Sequence, residues 1–331
     1  MKARATSAAV LAVALCAAGL SGCQHSDSSE AESSPSTHPS PIERTAPTGP
    51  SGAQVDTIEA AYTAQIRNKV QQLSTETHQT MDAFTAGGGQ DRYVATHTLY
   101  MQLQPTAKRF EPTRFAIVNL DRLLNERESD YQLLDPTDTR KWMGWHQIEK
   151  DLWQDSQADR ATHAANLIEQ TELFSQLVNA TEFSVSISQI CKDTTELLEE
   201  AAIREATGQE EQFSHTDIDD LNATIGQAKA AYTAVRPLIR DKSVISELDK
   251  EFDATQQLID TYRSGNGFAL YTSLSDAQRR ELVDRVSTLR HSVGKLTDAV
   301  LTQDPGSASP RKSTATPSGN ATGKSHEGGK R

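Results

Sequence analysis

An all-α body is predicted by three observations. Large apolar residues recur at helical spacing through most of the middle of the chain, no window alternates apolar and polar positions with β-branched residues, and no proline lies between Pro136 and Pro237. A helix buries a stripe with a period near 3.6 residues, whereas a half-buried strand alternates with a period of 2. A long proline-free stretch allows several uninterrupted helices to follow one another.

The elements follow in chain order. Residues 1–22 read as an export signal, with Lys2 and Arg4 ahead of an apolar run from Ser7 to Leu20 that is too short to remain as a spanning helix. Leu20-Ser21-Gly22-Cys23 resembles a bacterial lipobox, which makes Cys23 the expected lipidation site; an ordinary secretory signal is the alternative. Residues 23–52 hold the Cys and a Ser/Pro-rich stretch too poor in apolar side chains to offset the entropy of ordering, a tether in this reading. Residues 302–331 have the same character and form the expected tail.

Between these ends, residues 53–301 are long enough for one large domain or two lobes. Val55, Ile58, Tyr62, Ile66, Val70 and Leu73 make the first stripe. Leu248, Phe252, Thr255, Ile259 and Tyr262 make a later one, and Leu282, Val286, Leu289, Val293, Leu296 and Val300 form a bundle-like seam. Breaks are expected at Gly87-Gly88-Gly89, Pro105, Pro112, Asp135-Pro136-Thr137, Gly208 and Gly265-Asn266-Gly267, leaving room for roughly seven to nine helices. With Cys16 in the signal and Cys23 acylated, Cys191 alone remains and is read as a small buried apolar residue.

The formal charge of −12 is spread as mixed acids and bases along helix faces, without a basic patch interleaved with aromatics. Nucleic acid is therefore not an expected partner. His-Glu-x-x-His, a Walker loop, a dinucleotide glycine fingerprint and a serine nucleophile elbow are all missing from the sequence.

The most informative stretch is Lys141-Trp142-Met143-Gly144-Trp145-His146-Gln147-Ile148-Glu149-Lys150-Asp151-Leu152-Trp153. Trp145, Ile148 and Leu152 form one stripe; Trp142, His146, Glu149 and Trp153 form a second. His146 and Glu149 thus take positions where a packed helix normally carries Leu or Ile, and burying them costs several kcal/mol unless they are paired or bind something. Imidazole with carboxylate suits iron, zinc, manganese or copper, but a metal wants at least two further donors, and a structural His–Glu hydrogen bond uses the same pair. A second cluster, Gln209 to Asp217, lies between two helices; Ser214 and Asp217 look like a capping-box variant, and Asp217, Asp219 and Asp220 suit the positive end of a helix dipole. Glu196, Glu199 and Glu200 read as a solvated helix face.

Gly144 to Trp153 resembles the His-x-x-Glu segment of the imelysin-like proteins, which include the EfeO and EfeM components of ferrous iron uptake. Phe213-Ser214-His215-Thr216-Asp217 is similar to a second family segment. Tyr262 to Phe268 followed by Tyr271 is similar to a third, with weaker matches at Tyr100, Arg109-Phe110-Glu111-Pro112 and Arg127-Glu128. The resemblance implies two packed helical-bundle lobes with a metal-binding cleft between them. It implies a lipid-anchored, extracytoplasmic iron-binding protein of the EfeM type, without a cupredoxin domain, serving an iron permease and haem peroxidase of an Efe-type system. Iron, ferrous or ferric, is the implied metal, with copper or zinc as alternatives. By position, His146 and Glu149 become ligands, Glu111 and Glu128 further carboxylates, and His215, Glu210 and Tyr271 the other side of the cleft; Arg127 would orient a carboxylate. Lys108, Gln147 and Phe115 depart from the family pattern. An imelysin-type metallopeptidase and a helical surface scaffold with a decayed site are the competing readings.

Overall fold

The computed structural model describes residues 52–110, 120–127 and 142–302. Cys23, Glu111, Pro112, Phe115, Glu128, the Asp135-Pro136-Thr137 break and the two chain ends lie outside the described residues. The described residues all belong to one compact unit. No helix among them is long and apolar enough to cross a membrane.

Eleven α-helices are present among the described residues: α1 (Gly52–Thr85), α2 (Gln90–Met101), α3 (Gln104–Lys108), α4 (Leu120–Asn125), α5 (Gly144–Trp153), α6 (Arg160–Asn179), α7 (Ile187–Ile203), α8 (Asp217–Val235), α9 (Lys242–Asp260), α10 (Asp276–Val293) and α11 (Leu296–Leu301). Two-residue strands β1 (Arg263–Ser264) and β2 (Gly267–Phe268) pair across Gly265-Asn266 as a small hairpin. The chain is therefore all-α. The count exceeds seven to nine because α3, α4 and α11 are single short turns flanking longer helices.

One group of helices packs α6 against α1 and α5, and α4 against both α5 and α6; a second packs α8, α10 and α11 against α7, with α9 on α10. The groups meet where α2 lies on α8, and they share one continuous core. The two groups are thus parts of one body, and buried side chains of both meet at their junction.

The predicted stripes are the buried faces. Tyr62, Ile66, Val70 and Leu73 of α1 are buried, as are Leu248, Phe252, Thr255 and Ile259 of α9. Each large side chain so placed contributes about 1.5–3 kcal/mol. The seam from Leu282 to Val300 is buried throughout, yet the helix is interrupted at Gly294 and Lys295 between α10 and α11, so the apolar spacing survives a break it did not announce. Cys191 is fully buried and unpaired, and burial pushes its thiol up to about 12.

Two devices position α5. Gly144 has φ +60, and a Cβ there would overlap the Leu124 carbonyl, so only glycine lets α5 start against the end of α4. Arg160, buried at the start of α6, donates to the carbonyls of Phe84 (2.9 Å) and Asp151 (3.1 Å), tying α6 to the ends of α1 and α5. Gly208 (φ +71) closes the turn after α7 where a side chain would run into the Tyr271 ring.

Candidate metal centre

On α5, Trp145, Ile148 and Leu152 fill the core, and the offset stripe brings His146 and Glu149 to the junction with α2 and α8. Both side chains are fully buried. His146 Nδ1 lies 3.5 Å from Glu149 Oε2, and His146 Nε2 lies 3.4 Å from Glu210 Oε1. At these separations and angles neither contact is a hydrogen bond, and both ring nitrogens have no hydrogen-bond partner. Glu149 Oε2 and Glu210 Oε2 likewise have none. The other oxygen of Glu149 accepts the amide N–H groups of Phe213 (2.7 Å) and Ser214 (2.8 Å), which fixes the carboxylate and leaves Oε2 facing the imidazole.

The opposite wall is the segment before α8. Asp217 Oδ1 accepts the amide N–H groups of Glu210 (3.0 Å) and Glu211 (3.1 Å), pinning the loop that presents both glutamates. Ser214 does not cap α8. Its hydroxyl donates to Glu211 Oε2 at 2.6 Å, Thr216 takes the cap position without a side-chain bond, and Asp217 turns back into the loop. The capping-box reading fails because the segment is folded around Glu211 rather than led straight into the helix. Arg127 sits 3.4 Å from Glu210 Oε2, so it orients a carboxylate. Burial opposes ionisation of Glu210, but Arg127 and His146 outweigh it and hold its carboxyl far below the ordinary range.

A second group lies beside the first. His97 of α2 is fully buried, with Nδ1 3.0 Å from Glu211 Oε1 and 3.1 Å from Asp220 Oδ2, and Nε2 3.2 Å from Asn125 Oδ1. Asn125 Nδ2 donates in turn to Glu210 Oε1 at 2.9 Å, and Tyr93 donates to Glu211 Oε1 at 3.1 Å. Both nitrogens of His97 therefore face acceptors, the arrangement of an imidazolium. Burial disfavours that charge, yet Asp220 and Glu211 outweigh it and raise the His97 pKa well above the ordinary value. The donor atoms of His97, Glu211 and Asp220 lie within 4.8 Å of one another, as do those of His146, Glu149 and Glu211. Glu211 is common to both.

The two groups differ in what remains unsatisfied. In the His97 group every donor has an acceptor, whereas the His146 group leaves four buried polar atoms unbonded. Each such atom costs about 1–3 kcal/mol. A cation held by one nitrogen of His146 together with Glu149 and Glu211 would take up part of this unmet capacity, so the donor set fits a transition metal with imidazole and carboxylate preferences. Burial again opposes charging of His146, but Glu149 and Glu210 push its pKa up to about 9. Burial and the charge of Glu211 raise Glu149.

The remaining candidates fall elsewhere. His215 is half-buried, has φ 59, belongs to neither group, and its carbonyl accepts the Tyr271 amide N–H at 2.9 Å. The Tyr271 hydroxyl donates to the Ala206 carbonyl at 3.1 Å, outside the cluster. Glu200 is half-buried rather than solvated, bonded to Lys108 (2.6 Å) and Arg204 (3.1 Å). His97, Glu211 and Asp220 were not singled out as a group from the sequence. The available signal was Tyr93, His97 and Tyr100 at offsets of 4 and 3, an imidazole on an otherwise aromatic buried stripe.

Residues 58–296 match the imelysin family, peptidase M75. The Efem/EfeO family lipoprotein of Staphylococcus haemolyticus is 31% identical over 209 residues, covering 62% of this chain and 71% of that protein. The iron uptake system component EfeM of Bacillus subtilis is 32% identical over 208 residues, 61% of this chain and 52% of that protein, so the match spans about half the Bacillus protein's length. An Efem/EfeO family lipoprotein of Staphylococcus aureus is 29% identical over 211 residues, 62% of this chain and 72% of that protein.

Proposed function

This chain belongs to the imelysin family, and from that premise we propose that it is an iron-uptake lipoprotein of the EfeM/EfeO kind that binds an iron ion at His146 and Glu149. Glu210 and Glu211 are the further donors in this reading. The observation that carries it is a fully buried imidazole whose two nitrogens face carboxylates without bonding to them, in a chain similar to a relative named for iron uptake. Iron is the cargo, loaded outside the cytoplasmic membrane where Cys23 anchors the chain, and passed to a permease with a haem peroxidase as neighbouring component. Residues 23–52 serve as tether and 53–301 as the working body.

The peptidase label of the family is the weaker reading for this chain. Metal-assisted hydrolysis needs a metal-bound water beside a peptide. Here the imidazole and carboxylate are enclosed by α2, α8 and the loop before α8, which suits an ion better than a polypeptide.

Calorimetric titration of the purified chain with ferrous, cupric and zinc ions tests the assignment. Binding of about one ion, weakened at least 100-fold by the His146→Ala, Glu149→Ala double substitution, is expected for the loss of two direct ligands. Unchanged binding in that double variant refutes it.

A further inference from the structure

A cavity of about 290 Å³ borders the buried cluster, lined among others by Lys108, Asp121, Arg127, Glu200 and Glu210. Glu210 belongs to both places: it lines the cavity, and its Oε1 faces His146 Nε2 at 3.4 Å. It is also fully buried, with Oε2 lacking a hydrogen-bond partner. Four acids (Asp121, Glu126, Glu200 and Glu210) and four bases line the cavity. Arg122 lies 2.8 Å from Glu126, Arg204 3.1 Å from Glu200 and Arg127 3.4 Å from Glu210, so each guanidinium faces a glutamate and the ammonium of Lys108 stands beside Asp121, Glu200 and Glu210. Lys108 Nζ lies 2.6 Å from Glu200 Oε1, and Asp121 and Glu210 both act on the same ammonium through space. Asp121 is held in place by the Tyr100 hydroxyl, which donates to its Oδ1.

We propose that this cavity is the vestibule through which a hydrated divalent cation reaches the buried His146–Glu149 pair, and that Lys108 is its gate, an ammonium keeping the place of the incoming ion among Asp121, Glu200 and Glu210. The inference rests on the reading of His146 and Glu149 as an ion site. The physical basis is charge exchange. A primary ammonium is a compact point charge on a flexible stem, able to swing from one carboxylate to another. At 27% side-chain exposure Lys108 has water to move into when a doubly charged ion displaces it. While it remains, it cancels part of the acidic field that would concentrate cations at the mouth, so it slows entry more than it alters the final coordination. Arg204, 3.1 Å from Glu200 Oε2, keeps that carboxylate oriented after the lysine leaves.

Cobaltous ion is the probe, because its visible absorption reports arrival at a nitrogen-containing site. Uptake is followed by stopped-flow absorption on the full chain for the native protein and for Lys108→Met, Lys108→Gln, Lys108→Arg and the pair Asp121→Asn, Glu200→Gln. The gate predicts entry roughly tenfold faster in Lys108→Met, within the range by which a lining charge changes association. It also predicts near-native entry in Lys108→Arg, slower entry in the acid pair, and one ion bound throughout. Lys108→Gln carries the same expectation and replaces the Met variant if that chain does not fold. Native or slower entry in a folded, charge-neutral Lys108 variant overturns the gate. If the native chain takes up cobalt and the His146→Ala, Glu149→Ala variant does not, that failure leaves the ion site standing. If the native chain takes up no cobalt, both fall.

Discussion

The two histidine–acid groups of this protein have nearly the same composition and share Glu211, yet they are built for different ends. His97 has Asp220 and Glu211 at one nitrogen and Asn125 at the other, all within hydrogen-bonding reach. His146 has Glu149 and Glu210 at 3.5 and 3.4 Å, too far and misaligned to bond. Composition and proximity qualify both as metal-holding groups; only unmet bonding capacity separates them. A buried polar network that closes on itself contributes to the fold, whereas one left open asks for a ligand. His97 is then an internal cation that neutralises Glu211 and Asp220 and, through Asn125, steadies the Glu210 oxygen that faces His146.

The largest effect that would break this contrast is on stability. Replacing His97 by Gln leaves Glu211 and Asp220 buried without their counter-charge, a situation that costs about 3–5 kcal/mol. The same change at His146 in the ion-free chain also removes a counter-charge, but it is expected to cost less, because no hydrogen bond is lost there and Arg127 still faces Glu210 at 3.4 Å. Urea unfolding of the two variants decides it, and equal losses would erase the distinction between the groups.

A smaller effect sharpens it through pH. With its pKa pushed up to about 9, His146 carries a proton at neutral pH that an arriving ion must displace. Apparent affinity therefore rises about tenfold per pH unit up to about 9 and levels off above it, when one proton is released per ion. The ion-free chain behaves oppositely. The folded pKa of His146 is raised from 6.5 to about 9, and burial raises Asp217 from 3.8 to about 8, so both groups hold protons more tightly when folded and their contribution to stability is lost as pH rises. Titrations and thermal melts between pH 6 and 9 should run in opposite directions. Affinity that falls with rising pH would contradict the account.

How much of this was legible in the sequence depended on how far apart the partners lie along the chain. The helical stripes of α1, α9 and α10 and the burial of His146 beside Glu149 follow from spacing within one helix, which a periodic pattern records directly. The same periodicity supplied the overall all-α class, and the family resemblance brought in Glu210, some sixty residues from His146. The His97 group drew on α2, α4 and α8, three elements whose meeting no local spacing encodes. Glu200 was misread because its helix face is covered by Lys108 from α3 rather than by water, a contact set by tertiary packing. Ser214 was misread because a Ser-x-x-Asp pattern fits a cap and a tight polar loop equally well, and the loop around Glu211 won.

X-ray absorption at the edge of bound iron or cobalt tests the central claim most directly. The native chain should show one imidazole nitrogen among oxygen ligands, retained in His97→Gln and lost in His146→Gln. A nitrogen that disappears with His97 and persists without His146 would place the ion in the other group and contradict the account.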